Sequence, residues 1–158
     1  MREVILSEKT NDFLSNRLNR LFEKISNRDT VEGIIVSSFE AFDSFNIFNS
    51  LYFSIDIVFN DEDYYNSTTD KIITNVELYT FALSKLLSKK GLELYFNVRS
   101  CKRSDYYKEK SILLDYLHRS EIVYDKYGDY TRIKNDNVEY EDFSNTVYYN
   151  PPLRLKKI

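Results

Sequence analysis

Hydrophobic and polar positions follow two different periods along the chain. At 11–25 and 70–90, apolar residues recur every three or four positions, and this spacing predicts amphipathic helices. At 51–59 and 92–99, apolar and polar residues alternate strictly, which is typical of strands with one buried face. The short β-branched run at 31–39 predicts a buried strand.

Weaker patterns fill the rest of the chain. Phenylalanines spaced by three predict a short helix from Glu40 to Asn49, and a further helix is expected at 104–117. Residues 121–133 resemble a hairpin turning at Gly128, and 138–158 are expected to form an extended tail packed on the domain. The order of elements predicts one α/β domain over 1–158, with a single mixed sheet packed with helices.

Composition narrows the class of protein. The chain has 158 residues, of which 42% are hydrophobic, and a single Cys that cannot form an internal disulfide. No apolar run approaches the roughly 20 residues that cross a bilayer. The formal charge of -3 leaves no broad basic field for nucleic acid. We therefore expect a cytoplasmic protein with no membrane partner, no extensive nucleic-acid surface and an undetermined oligomeric state.

Most catalytic motifs are missing from the chain. Gly33, Gly91 and Gly128 are isolated, which excludes a glycine-rich phosphate loop. Cys101 and His118 are too few for a zinc site. Their simplest interpretation is an apolar filler and a helix-terminal cation.

Two carboxylates on the alternating strands carry the one candidate for chemistry. Asp56 and Glu93 each lie between apolar neighbours, on the polar face of their strand. If the strands are neighbours, the two acids share a surface, and a divalent cation such as Mg²⁺ relieves their repulsion. The alternative is structural, because a strand with one solvated face carries polar residues there in any case.

The stretch 34–61 resembles the core of polymerase-beta-like nucleotidyltransferases, especially the small bacterial ones. That family has a strand ending in Gly-Ser or Gly-Gly, a short helix, a strand with two alternating Asp residues, and a later strand with a third carboxylate. Ser37-Ser38 stand at the Gly-Ser position, 40–49 form the short helix, Ser54 and Asp56 occupy the two Asp positions, and Glu93 the third. The resemblance covers roughly residues 8 to 130.

The resemblance implies a role for each of these residues. Asp56 would hold Mg²⁺, and Glu93 would be a second ligand or the base that deprotonates the acceptor. Ser37 and Ser38 would contact the phosphates of a nucleoside triphosphate, with Ser54 in the same cofactor site. Ser37, however, replaces a glycine that lets the backbone approach phosphate, and Ser54 replaces a charged metal ligand.

These substitutions leave three functions open. The first is a nucleotidyltransferase-fold protein with weakened or lost catalysis. The second is a non-catalytic protein-binding module, antitoxin-like or a phage or plasmid accessory protein. The third is a metal-dependent nuclease, which position 95 disfavours because it is Tyr where such sites usually carry Lys.

Overall fold

The computed structural model describes residues 7–41, 50–107, 110–136 and 153–158. Their helices and strands are, in chain order, α1 (Glu8–Ser26), β1 (Val31–Ala41), β2 (Ser50–Phe59), α2 (Ser67–Ser88), β3 (Leu94–Lys102), α3 (Arg103–Tyr107), α4 (Lys110–His118), β4 (Ser120–Asp125) and α5 (Asp129–Asp136). Among these residues, no helix has both the length and the apolar character that a membrane span requires.

One four-stranded mixed sheet organises the fold, in the order β3-β2-β1-β4. Strand β1 pairs antiparallel with both β2 and β4. Strand β3 pairs parallel with β2 and is reached through α2, as a parallel connection requires. The predicted mixed α/β class is confirmed, and β3 and β4 are the two edges of the sheet.

Helices cover both faces of this sheet. On the first face, α1 and α2 pack on the larger apolar cluster, which includes Phe53, Ile55 and Ile57 of β2. On the second face, Leu113 and Leu117 of α4 and Tyr130 of α5 pack on a smaller cluster. The alternation in β2 is therefore real, but its polar side is covered by helices, where the sequence suggested a solvated face.

The two long helices end as their sequences predict. The Ser7 side chain caps α1 by accepting a hydrogen bond from the Thr10 N–H at 3.2 Å. After α2, Gly91 adopts a φ of +80°, and Leu92 N–H donates to the Leu87 carbonyl at 3.1 Å. Only glycine takes this left-handed conformation readily, so the chain can turn there into β3.

The hairpin predicted at 121–133 is wrong in its second half. Strand β4 occupies the first half, but helix α5 follows it. The Asp125 carboxylate accepts the Thr131 N–H at 2.8 Å, which satisfies a donor of the first helical turn. Tyr130, three positions before the partly buried Ile133, is fully buried on the second face. A spacing of three positions fits a helix, and the burial of Tyr130 favours the helix over the strand that the alternating sequence predicts.

Two other helix predictions fall partly on described residues. The helix predicted at 104–117 is confirmed at 104–107 and 110–117, which lie in α3 and α4, and the Asp61 carboxylate accepts the Ser104 N–H at 3.0 Å near the start of α3. The predicted short helix loses its first two residues, Glu40 and Ala41, to β1. The remainder of that prediction, 42–49, lies outside the described residues.

The end of the chain, 153–158, lies against α1 and β4. Leu153 is buried in the larger cluster. Arg154 N–H donates to Ser15 Oγ at 3.0 Å, and Ile158 N–H donates to the Val123 carbonyl at 2.7 Å. The rest of the predicted tail, 138–152, lies outside the described residues.

Candidate functional site

Three of the predicted site residues meet on the second face of the sheet. Ser37 of β1 lies directly opposite Ser54 of β2 in the antiparallel register, and Asp56 follows two positions further along β2. Because alternate strand residues share a face, all three side chains lie on the same side. Ser38 follows Ser37 directly, so its side chain lies on the opposite face of the sheet. Its hydroxyl is buried without a hydrogen-bond partner among the described residues. The structure therefore separates Ser38 from the other two serines.

The strand register also separates the two acids. Asp56 lies beside Arg99 in the parallel β2–β3 pair, and Glu93 precedes that arginine by six residues. At about 3.3 Å per residue, this places Glu93 about 20 Å along the strand from Asp56. The expected convergence of the two carboxylates on one surface therefore does not occur.

Arg99 takes up both oxygens of Asp56. Its Nε donates to Oδ1 at 2.6 Å and its Nη2 donates to Oδ2 at 2.7 Å, a bidentate geometry that matches the guanidinium to the carboxylate. The Asp56 side chain is 0% exposed, whereas that of Arg99 is 49% exposed. The hydrogen bonds that Arg99 donates to Asp56 raise the pKa of the guanidinium, which is therefore charged at every relevant pH.

Two tyrosines complete the surroundings of Asp56. The Tyr106 hydroxyl donates to Asp56 Oδ2 at 3.0 Å, and the Tyr116 hydroxyl lies 3.2 Å from Ser37 Oγ. Burial and then the nearby charge of Asp56 raise the pKa of Tyr106 well above its usual value. The same causes, in the same order, raise the pKa of Tyr116 to about 12. Both phenols are therefore neutral hydrogen-bonding groups rather than bases at neutral pH.

These side chains do not fit a divalent cation. Mg²⁺ binds through one or more carboxylate oxygens, but both oxygens of Asp56 already accept strong hydrogen bonds from a cation. Glu93 is too far away to contribute. Within the described ranges, no group of three or more His, Cys, Asp or Glu residues is placed to hold a metal.

Arg99, Tyr106 and Tyr116 are not among the site residues predicted from the sequence. A signal for Arg99 was present, since it occupies a polar-face position of β3 just as Asp56 does of β2. Its match with Asp56 depends on the register between the strands, which no local pattern reveals. The tyrosines lie on helices that the sequence places on no particular face.

A second buried cluster lies near the start of β1. Glu32 sits at a β-bulge and accepts a hydrogen bond from Arg103 Nη1 at 3.2 Å. Arg103 also binds Asp129 at the start of α5, and its guanidinium lies 4.7 Å from the ring centroid of Tyr127. This arginine therefore joins β1, α3 and α5, and we interpret the cluster as structural.

A groove runs along the outer edge of β3. It has a volume of about 750 Å³ and is bounded by one side of α2. Leu78 and Phe81 of α2 are 64% and 61% exposed there, and Tyr95 of β3 is 46% exposed. Exposed apolar side chains gathered in one groove are typical of interaction surfaces.

Comparison with known proteins provides no relative for this chain: no protein family, curated protein or solved structure matches it.

Proposed function

We propose that this chain is a non-catalytic protein-binding module built on a nucleotidyltransferase-like fold. The observation that carries the proposal is the pairing of Asp56 with Arg99. In the resemblance to nucleotidyltransferases, Asp56 is the one remaining carboxylate on the strand that should carry two. Here Arg99, which stays positively charged, binds both oxygens of Asp56, whose side chain is fully buried. This acid therefore stabilises the sheet instead of binding metal.

Two further features agree with lost catalysis. Ser54 supplies no charge at the position of the first metal ligand, and Glu93 lies about 20 Å from Asp56 along the strand direction. The exposed apolar side chains Leu78, Phe81 and Tyr95 provide a surface for protein binding instead. Aromatic residues in a groove are typical anchors of protein interfaces.

The test is nucleotide binding by the folded protein. We expect no saturable heat in titration calorimetry with each of the four nucleoside triphosphates in Mg²⁺, and no shift in melting temperature at millimolar ligand. Pyrophosphate should not be released when the protein is incubated with these nucleotides.

Active catalysis is the competing function, and one observation favours it. Ser37, Ser54 and Asp56 do share one face on adjacent strands, as the resemblance implies. Saturable Mg²⁺-dependent nucleotide binding by the wild type would overturn our proposal. Its loss in Asp56→Asn, in protein with an unchanged circular dichroism spectrum, would identify the site.

A further inference from the structure

The two edges of the sheet differ in what covers them. At β4, the chain end lies alongside the strand, with Ile158 N–H donating to the Val123 carbonyl. At β3, no strand among the described residues pairs with the outer side. The segment 94–98 of that edge contains no charged residue and no proline, which are two of the devices that prevent strands from pairing edge to edge.

On the side of α2 that borders this edge, residues of opposite charge are spaced symmetrically about Phe81. Glu77 and Lys85 lie four positions before and after it, and Leu78 and Ser84 lie three positions before and after it. If two copies of α2 meet antiparallel at Phe81, each Glu77 lies opposite the Lys85 of the other copy. The surface is therefore complementary to itself in charge, with an aromatic residue at its centre.

Strand β3 has a matching centre at Phe96. Antiparallel pairing of two β3 strands about this residue places Glu93 opposite Arg99 of the other copy, and Leu94 opposite Val98. Asp56 engages Nε and Nη2 of Arg99, so these two contacts leave its Nη1 outside the ion pair. Parallel pairing in register would instead place like charges side by side, which destabilises a strand pair.

Phe81 of α2 and Phe96 of β3 lie at about the same position along the strand direction. Ser84 Oγ donates to the Leu94 carbonyl, which fixes the position of α2 along β3. Phe81 precedes Ser84 by three residues, about 4.5 Å along a helix, and this distance equals one to two residues along a strand. Because α2 runs opposite to β3, Phe81 lies beside residues 95–96. A single two-fold axis can therefore pass close to Phe81 and Phe96 together.

Helix spacing also permits this arrangement. Helices α1 and α2 share the first face of four strands, so each helix covers about two strand widths. Two strand widths are about 9.6 Å, close to the 8–10 Å at which helices pack. Extending the sheet across the β3 edge would continue the same spacing, with α2 packing against its copy.

We propose that the partner is a second copy of this chain, bound through antiparallel β3–β3 pairing and α2–α2 packing. The result is an eight-stranded sheet with the axis near Phe81 and Phe96. This inference rests on the proposed function, because it names the partner of the binding module. A two-fold interface is isologous, so each contact occurs twice.

Charge reversal on α2 tests the proposal. We expect the wild type to sediment as a dimer, at twice the chain mass of 18.9 kDa. Glu77→Lys and Lys85→Glu should each weaken the dimer by about tenfold or more, because each creates two like-charge contacts. The double variant should recover wild-type affinity, and an equimolar mixture of the two single variants should form a heterodimer. Lys71→Glu, an exposed reversal elsewhere on α2, is the matched control and should leave the dimer unchanged.

Amide hydrogen exchange gives an independent readout of the strand. The amides within 94–98 that point away from β2 should become more protected as the wild-type concentration rises, and Phe81→Glu should remove this dependence. A monomer at all concentrations would refute the second copy as the partner, and a dimer insensitive to both charge reversals would refute the β3–α2 interface. Neither result would bear on the nucleotide titration, so the two proposals can fail separately.

Discussion

Replacing Arg99 by Met provides the most direct test of how this fold uses Asp56. The substitution keeps an unbranched side chain but removes both guanidinium donors. The carboxylate is fully buried, and the hydrogen bond from the Tyr106 hydroxyl remains after the substitution. Removing one partner of a buried ion pair destabilises proteins by about 3–5 kcal/mol. Because Arg99 itself is half-exposed and water can enter its place, we expect a loss of about 2–4 kcal/mol.

Urea unfolding followed by circular dichroism measures this loss as a lower midpoint at constant slope. Asp56→Asn should be less destabilising than Arg99→Met, since the arginine left behind reaches water whereas the aspartate does not. The double variant Asp56→Leu/Arg99→Met should recover much of the loss, because no buried charge remains. An Arg99→Met protein within about 0.5 kcal/mol of wild type would refute the reasoning, and so would the opposite order of the two single variants.

Three further predictions concern other buried groups. Gly33→Ala should destabilise the protein by about 1–3 kcal/mol in the same urea assay, because the new Cβ would lie 3.3 Å from the fully buried ring of Tyr130; an unchanged midpoint would contradict this. Burial, and then the charge of Asp56, raises the pKa of the Cys101 thiol to about 12. Alkylation of this thiol by iodoacetamide at pH 8 should therefore be about a thousandfold slower in folded than in urea-unfolded protein. Equal alkylation rates would exclude such burial. Burial also raises the pKa of Glu121 above its unfolded value, despite the opposing charge of Lys134. This carboxyl therefore disfavours folding as the pH rises through its folded pKa. Glu121→Gln should stabilise the protein at pH 7 by under about 1 kcal/mol and lose this advantage at pH 3.

Helix and strand predictions succeeded where the pattern itself was strong. Leu14, Leu18 and Phe22 lie on one face of α1, and their burial follows directly from their spacing. The apolar side of β2 likewise packs on the first face. The prediction at 121–133 failed because a short segment with mixed spacing fits both a strand and a helix. Burial of Tyr130 beneath α4 decides between them, and that contact is long-range.

The prediction of the candidate site failed for a related reason. Alternation correctly places Asp56 opposite the apolar side chains of β2. It says nothing about what covers that side, and the strand was expected to be solvated there. In the fold, α3 and α4 bring Tyr106 and Tyr116 over the carboxylate, and β3 brings Arg99 beside it.

By itself, the sequence determined which segments form the long helices and the central strands, and which side chains of each face the core. These properties depend on spacing within one segment, and neighbouring residues are enough to define them. Only the tertiary structure decided that Asp56 meets Arg99 and that Glu93 lies far from it. Strand register and helix placement set these distances, and both depend on contacts between residues remote in the chain.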